Sequence, residues 1–198
     1  PAYNEEKSIG EVIREIPRKI DGFTHIEVLV VDDGSNDKTA DVAKNAGATY
    51  IVRCGKKYGV GHAFFLGVMG ALQKGADVIV NIDADGQFDP AEMKFLIEPI
   101  VKKEADMVTG SRFLDPLKTP SMTFLKKIGN KLFSWLVSRL SGEMFKDTQC
   151  GYRCYSREAC LHMNLFGKYT YTQEVFIDLI SKDMRIKEIP VTVRERKY

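Results

Sequence analysis

The sequence predicts an α/β sandwich with a mostly parallel central sheet covered by helices on both faces. Short β-branched runs that are apolar at every position alternate with segments of helical periodicity, and such runs suit parallel strands buried on both sides. Two of them end abruptly in acid clusters, Asp32-Asp33 and Asp83-Ala84-Asp85, and open α/β sheets gather ligands beyond the carboxyl ends of their strands. The length, 198 residues, fits one domain covering residues 1–198 around a single core.

In chain order, Ile9, Val12, Ile13 and Ile16 recur at helical spacing, predicting a helix over residues 6–16 that Pro17 closes. Residues 26–31 read as a buried strand running into the polar turn Asp32-Asp33-Gly34-Ser35. A helix follows over 37–45, for which Ser35 or Asn36 could serve as the cap. Next come a strand over 49–52, a loop at Gly59 to Gly61 and a helix over 63–74. Residues 78–82 are the next buried strand, again ending in acids. A helix from Pro90 to about 103 and a strand over 107–110 complete the regular part. The second half reads as a helix over 123–140 with a wide apolar face, a polar loop over 145–154, a helix over 174–181 and a strand over 186–193 broken by Pro190.

The composition is 44% hydrophobic and 28% charged, with eleven Phe and eight Tyr, which excludes a disordered chain. A net charge of +2 gives no reason to expect nucleic acid as a partner. Cys54, Cys150, Cys154 and Cys160 form no paired metal-ligand spacing, and we expect reduced thiols rather than zinc or disulfides. No apolar run has the roughly 18–20 residues that span a bilayer. The chain opens at Pro1 directly on a motif-like stretch, and we expect it to be cut from something longer at both ends.

The acids carry the chemistry. Asp83 and Asp85 can project from one strand end toward one ligand, and two hard anionic oxygens suit Mg²⁺ or Mn²⁺ bridging to substrate phosphates, with Gln87 as a third group. A solvated turn holding two aspartates is the plain alternative. Several acids buried together without a cation would be costly, which favours the metal. Asp33 is compatible with a helix-capping turn or with accepting from a nucleobase or ribose, and Tyr3 is an aromatic able to stack on a base. His62, after the glycine loop, reads as a packed or exposed side chain ahead of a phosphate contact.

Taken in order, Pro1-Ala-Tyr-Asn-Glu-Glu6, Val31-Asp-Asp-Gly-Ser-Asn-Asp37, Gly59-Val-Gly-His-Ala63, Asp83-Ala-Asp-Gly-Gln87, Gly110-Ser-Arg-Phe113 and Asp147-Thr-Gln-Cys-Gly-Tyr152 resemble the family 2 glycosyltransferases. The likeness is closest to the dolichyl-phosphate mannose and glucose synthase group and covers essentially the whole chain. The resemblance implies a nucleotide-sugar-binding fold of the GT-A type and inverting transfer of a hexose from a UDP- or GDP-sugar to a polyprenyl or dolichyl phosphate. It implies that Pro1, Tyr3, Glu5, Val31 and Asp33 line the nucleoside, and that Asp83, Ala84 and Asp85 hold the diphosphate and metal with Gln87 beside them. It further implies that Arg112 and Arg196 lie near phosphates, and that Asp85, Arg112 and Asp147 are the catalytic group, Asp147 acting as base or acceptor-orienting carboxylate. A structural cap is the alternative for Asp147. The family's first strand would precede Pro1, and a later phosphate-binding lysine would follow Tyr198.

Because a phosphate monoester is already largely ionised near neutrality, such an acceptor needs little help from a base. Arg112, Arg194, Arg196 and Lys126 or Lys127 are candidates to hold it. The helix over 123–140 combines Phe124, Leu125, Ile128, Leu132, Phe133, Trp135, Leu136 and Leu140 with Lys126, Lys127, Lys131 and Arg139. Core packing of that face is one expectation, and peripheral contact with the cytosolic face of a membrane is the other. Two other functions compete: the same donor chemistry directed at a saccharide or protein hydroxyl, and, more remotely, a non-enzymatic receiver-like signalling module of similar build.

Overall fold

The computed structural model describes residues 1–115, 124–164 and 171–196, apart from the side chains of residues 124–127 and 141. The expected alternation is present. Helix α1 (Ile9–Glu15), strand β1 (Leu29–Asp32), helix α2 (Thr39–Asn45), strand β2 (Tyr50–Arg53) and helix α3 (Val60–Gln73) come first. Strand β3 (Val78–Asn81), a 3-10 turn (Pro90–Glu92), helix α4 (Met93–Val101) and strand β4 (Met107–Ser111) follow. Helix α5 (Phe124–Ser141), strand β5 (Arg153–Ser156), helices α6 (Arg157–His162) and α7 (Thr172–Ile180) and strand β6 (Ile186–Pro190) complete the described elements.

β1 and β2 pair in parallel, and a four-stranded sheet runs in the order β3-β5-β4-β6. Within it β4 and β6 are parallel, while β5 is antiparallel to both β3 and β4. The polar loop expected over residues 145–154 runs as far as residue 152, but its last two residues begin β5, a strand the sequence reading lacks. The reason lies in Arg153, a charged residue at the start of a strand and fully buried, which breaks the apolar run by which a buried strand is recognised. Helix α6 was likewise passed over. Its N-cap is Ser156, whose hydroxyl accepts from the Ala159 amide.

Side chains alternate across the sheet into two cores. Val108 and Cys154 point toward a core built from Ile9, Ile13, Ala43, Leu96, Ile97 and Ile100 of α1, α2 and α4. Met107 and Tyr155, one residue away in each strand, point toward Phe64, Val68, Val137, Cys160, Val175 and Phe176 of α3, α5, α6 and α7. This is the three-layer arrangement expected from strands apolar on both faces. The four cysteines are free, and Cys150, Cys154 and Cys160 are buried.

Helix α5 departs from the expectation of core packing. Its inward side is polar: Asn130, Ser134 and Ser138 are buried along with Val137. The Ser134 hydroxyl accepts from the Thr148 amide at 3.1 Å, and the Ser138 hydroxyl accepts from the Phe145 amide at 2.9 Å. Ile128, Leu132, Phe133, Trp135, Leu136 and Leu140 are exposed, Trp135 by 60% and Leu140 by 65%. The side chains of Phe124, Leu125, Lys126 and Lys127 lie outside the described residues. Among the described residues no helix is long and apolar enough to cross a membrane.

Candidate active site

The first motif is placed by backbone pairing. The Ala2 amide donates to the Val31 carbonyl at 2.8 Å and the Asp33 amide donates to the Ala2 carbonyl at 2.9 Å, so residues 1–3 run parallel to the end of β1. That brings Pro1 and Tyr3 to Asp33. Val31 itself is 1% exposed, a core side chain, so the polar contacts at this end come from its neighbours. Asp32 accepts from the Ser35 amide at 2.9 Å and faces Arg53 at 3.5 Å, a turn-forming role. The cap ahead of α2 is neither Ser35 nor Asn36. Asp37 accepts from the Thr39 amide at 2.9 Å, while the Ser35 hydroxyl and the Asn36 amide bond to Asn4.

Asp33 holds the loop that leads into α3. Its two oxygens accept from the Tyr58 amide at 2.9 Å and the Gly59 amide at 2.8 Å. Gly34 makes this close approach possible: its φ is +77°, and a Cβ there would lie 2.4 Å from the Lys56 carbonyl carbon. The same loop sets Lys57 Nζ 3.7 Å from the centre of the Tyr3 ring, a cation–π contact on the ring expected to meet a base. His62 sits half-buried on α3 with its ring 4.8 Å from that of Tyr58.

Asp83, Ala84 and Asp85 leave the end of β3. Ala84 is core. Burial pushes the Asp83 carboxyl above the ordinary carboxylate range, the nearby Asp85 charge adds to the push, and Arg153 and Arg112 oppose it. Asp85 accepts from the Gln87 amide at 3.0 Å, and the Gln87 carbonyl accepts from the Arg194 amide at 2.7 Å. Phe88 and Val193 form an antiparallel bridge beside this junction. The C-terminal segment is thereby carried past the acids, and Arg196 donates to Glu5 at 2.7 Å. Glu5 also accepts from the Ser8 hydroxyl at 2.8 Å.

The pair fits a divalent cation. The Asp85 charge beside the desolvated Asp83 carboxylate raises the proton affinity of Asp83, and a bound cation would relieve that repulsion. Among the described residues no group of three or more His, Cys, Asp or Glu side chains forms a metal cage. This donor set is that of an ion sharing its shell with phosphate oxygens and water rather than one enclosed by protein.

Arg112 follows β4 and is bound by Asp147 through Nε at 2.7 Å and Nη2 at 2.8 Å. Asp147 also accepts from the Arg112 amide at 3.0 Å and the Gln149 amide at 3.2 Å, and its carboxylate is 0% exposed. Glu188 of β6 holds this residue from behind by accepting from the Lys146 and Asp147 amides, both at 2.8 Å. Arg194 pairs with Glu15 at 2.6 Å and Asp89 at 3.0 Å, on the rim of a groove lined by Ser8, Glu11, Val12, Asp85 and Gly86.

The structure thus brings together Pro1, Tyr3, Glu5, Asp33, Asp83, Asp85, Gln87, Arg112, Asp147 and Arg196 along one edge of the molecule. Sequence reasoning missed Lys57, Asn81, Arg153 and Glu188. Nothing in a lone lysine or in an Asn ending an apolar run marks them, but Arg153 directly follows the quoted Asp147 motif and could have been found there.

Comparison with known proteins gives the family and the fold. Residues 1–162 match the family described as Glycosyl transferase family 2. A UDP-N-acetylglucosamine–dolichyl-phosphate N-acetylglucosaminyltransferase of Methanococcus voltae is 30% identical over 217 residues, covering 100% of this chain and 85% of that protein. A dolichyl-phosphate hexose transferase of Haloferax volcanii is 33% identical over 196 residues, covering 98% of this chain and 80% of that protein. Among solved structures, a glucosyl-3-phosphoglycerate synthase of Mycobacterium tuberculosis, in complex with Mn²⁺, uridine diphosphate and glucosyl-3-phosphoglycerate, superposes with a TM-score of 0.78. It covers 100% of this chain and 70% of that one at 22% identity, a likeness of fold. Motif order, strand-end acids and these matches lead to one conclusion: the chain belongs to glycosyl transferase family 2.

Proposed function

We propose that this protein transfers a hexose from a nucleoside diphosphate sugar to a polyprenyl or dolichyl phosphate, with inversion, at the cytosolic face of a membrane. The observation that carries the reading is the meeting of three strand ends. Pro1, Tyr3 and Asp33 at β1 offer a nucleoside site, Asp83 and Asp85 at β3 a diphosphate and metal site, and Arg112 at β4 a cation within electrostatic reach of Asp83. The relatives whose names specify dolichyl-phosphate acceptors support the acceptor class.

In the reaction an acceptor phosphate oxygen attacks the anomeric carbon as the bond from that carbon to the donor's β-phosphate oxygen breaks. A Mg²⁺ or Mn²⁺ ion held by Asp83 and Asp85, with Gln87 beside them, would supply positive charge at the departing diphosphate. Arg112 contributes charge that is fixed before the reaction begins, because Asp147 grips two of its three guanidinium nitrogens. Tyr3 and Asp33 orient the nucleoside, and Arg196 closes over Glu5 from the C-terminal segment.

Asp147 acts here by positioning Arg112. Its carboxylate oxygens are taken by the Arg112 side chain and two backbone amides, so a proton from a sugar hydroxyl would find them already occupied. A phosphate acceptor loses nothing by this, being ionised with a second pKa near about 6. The geometry therefore favours a phosphate over a saccharide or protein hydroxyl. The exposed apolar side of α5, flanked by exposed Lys131, Arg139 and Lys146, gives the lipid a bilayer surface of matching charge to lie against.

The test is Mn²⁺-dependent binding of UDP- and GDP-sugars, followed by transfer to polyprenyl phosphate in vesicles and to free oligosaccharides in parallel. Transfer to the lipid phosphate with chelator-sensitive donor binding is expected. Transfer to oligosaccharides alone would replace the acceptor assignment with the hydroxyl reading.

A further inference from the structure

The Asp147 motif continues past its gripping carboxylate to a second contact. Gly151 lies directly under Asp83: a Cβ built on Gly151 would stand 2.6 Å from Asp83 Oδ2, 3.1 Å from Oδ1 and 3.2 Å from Cγ. The whole carboxylate rests on the bare Cα. Gly151 has no left-handed φ, so its backbone would suit any residue, and Asp83 is the obstacle to a side chain. The contact is held from both sides. Asn81, two residues before Asp83, donates to the Gly151 carbonyl at 2.7 Å and to the Tyr171 hydroxyl at 3.0 Å. Arg153, paired with Asn81 across the β3–β5 ladder, donates to the Cys150 carbonyl at 2.8 Å and the Thr148 carbonyl at 2.9 Å. Its guanidinium lies 4.9 Å from the Phe176 ring centre and 5.7 Å from that of Tyr171, completely buried.

We propose that Gly151 is a positioning residue for Asp83: its missing side chain is the seat that fixes the carboxylate for metal and diphosphate, with Asn81 and Arg153 holding the seat in place. Residues 147–153 then set both charges of the site, the cation through Asp147 on Arg112 and the anion through Gly151 under Asp83. This inference rests on the proposed metal role of Asp83, but the seat itself is a steric fact that can be tested apart from it.

The experiment is a double-mutant cycle of Gly151→Ala with Asp83→Ala on the full chain, read by thermal unfolding without metal. Overpacking by one methyl against a fixed group should lower the midpoint of Gly151→Ala by roughly 4–10 °C. In the Asp83→Ala background the same change should move it by less than roughly 2 °C, because the obstacle is gone and alanine lowers unfolded-state entropy. Should Gly151→Ala fail to fold alone yet fold with Asp83→Ala, the seat is equally supported. Equal loss in both backgrounds, or failure to fold in both, overturns it. Separately, Mn²⁺ titrated by electron paramagnetic resonance, with UDP or GDP present, should bind Gly151→Ala at least about tenfold more weakly than wild type, while Gly129→Ala, in α5 where an added Cβ meets nothing within 4 Å, leaves affinity unchanged. Wild-type-like Mn²⁺ affinity in Gly151→Ala refutes the positioning role. Absence of Mn²⁺ binding in wild type would instead refute the metal reading while the cycle still reports on the seat.

Discussion

Replacing Asp147 by asparagine removes the charge that fixes Arg112. Asp147 is fully buried and accepts from Nε, Nη2 and the amide of Arg112 and from the Gln149 amide. Asparagine keeps one acceptor oxygen but turns an amide donor toward an arginine donor, so at least one of the two side-chain bonds becomes repulsive. Removing one partner of a fully buried pair costs about 3–5 kcal/mol. Arg112 retains 16% exposure and can recover part of its hydration, which places the expected loss at about 2–4 kcal/mol. For a chain of this length that corresponds to a fall in unfolding midpoint of roughly 5–15 °C. Denaturant and thermal unfolding should be measured beside nucleotide binding and initial rates. A fall in kcat of about a hundredfold or more is expected from a misoriented cation, with a much smaller change in nucleotide affinity. A base would behave differently: stability would stay within about 0.5 kcal/mol of wild type while the acidic limb of the kcat/KM pH profile disappeared. That pair of results would refute the positioning argument.

Asp85→Asn should abolish the chelator-sensitive part of nucleotide-sugar binding, measured by calorimetry with and without EDTA; an affinity unchanged by both substitution and chelator would remove the metal from this site. Phe133→Glu with Trp135→Glu, at side chains 48% and 60% exposed, should weaken binding to anionic vesicles by on the order of 30-fold or more at about 1 kcal/mol of apolar contact per residue plus the added charge. Folding and donor binding should persist, and unaltered vesicle sedimentation would count against the membrane surface. Burial, and then the charge of Asp147, raise the Glu188 carboxyl above 4.5, so between 4.5 and that higher value the native state holds the extra proton. The stability this group contributes is present in full below 4.5 and is lost as pH rises through the window. The difference in unfolding free energy between wild type and Glu188→Gln should therefore decline with rising pH across the window and then level off, and a flat difference would contradict the assignment.

The alternation of β1, β2, β3 and β4 with helices was legible because each of these strands opens on an apolar run, and the acids were legible because they follow such runs. β5 was not. Its first residue is a buried arginine held by carbonyls and ring faces that come from residues 148–150, Tyr171 and Phe176, none of which is local to the strand pattern. The site was readable as residue types in order, but the duties within it were not. Asp147 looked equally like a base, an orienting group or a cap, because its partner Arg112 is 35 residues earlier in the chain. Glu188, which holds the Asp147 amide, is 41 residues later and sits in an ordinary strand.

Helix α5 shows why amphipathicity alone does not say which side faces inward. Its sequence has an apolar stripe and a stripe of small polar residues, and the usual inference buries the former. Here the neighbour decides. The segment beneath α5 carries Phe145 and Thr148 with backbone amides that need acceptors, and Ser138 and Ser134 meet them at 2.9 and 3.1 Å. Turning the helix to bury Leu132, Trp135 and Leu136 would leave those amides without partners inside the protein, at about 1–3 kcal/mol each. The polar stripe therefore goes inward and the apolar stripe faces out. An outward stripe of that kind is costly in water and needs a reason outside the fold. The acceptor proposed above, with its phosphate at Arg112 and its isoprenoid tail in a bilayer, would supply one, because the same Ser134–Thr148 contact that turns the apolar side outward also fixes the residue next to Asp147, and with it the arginine.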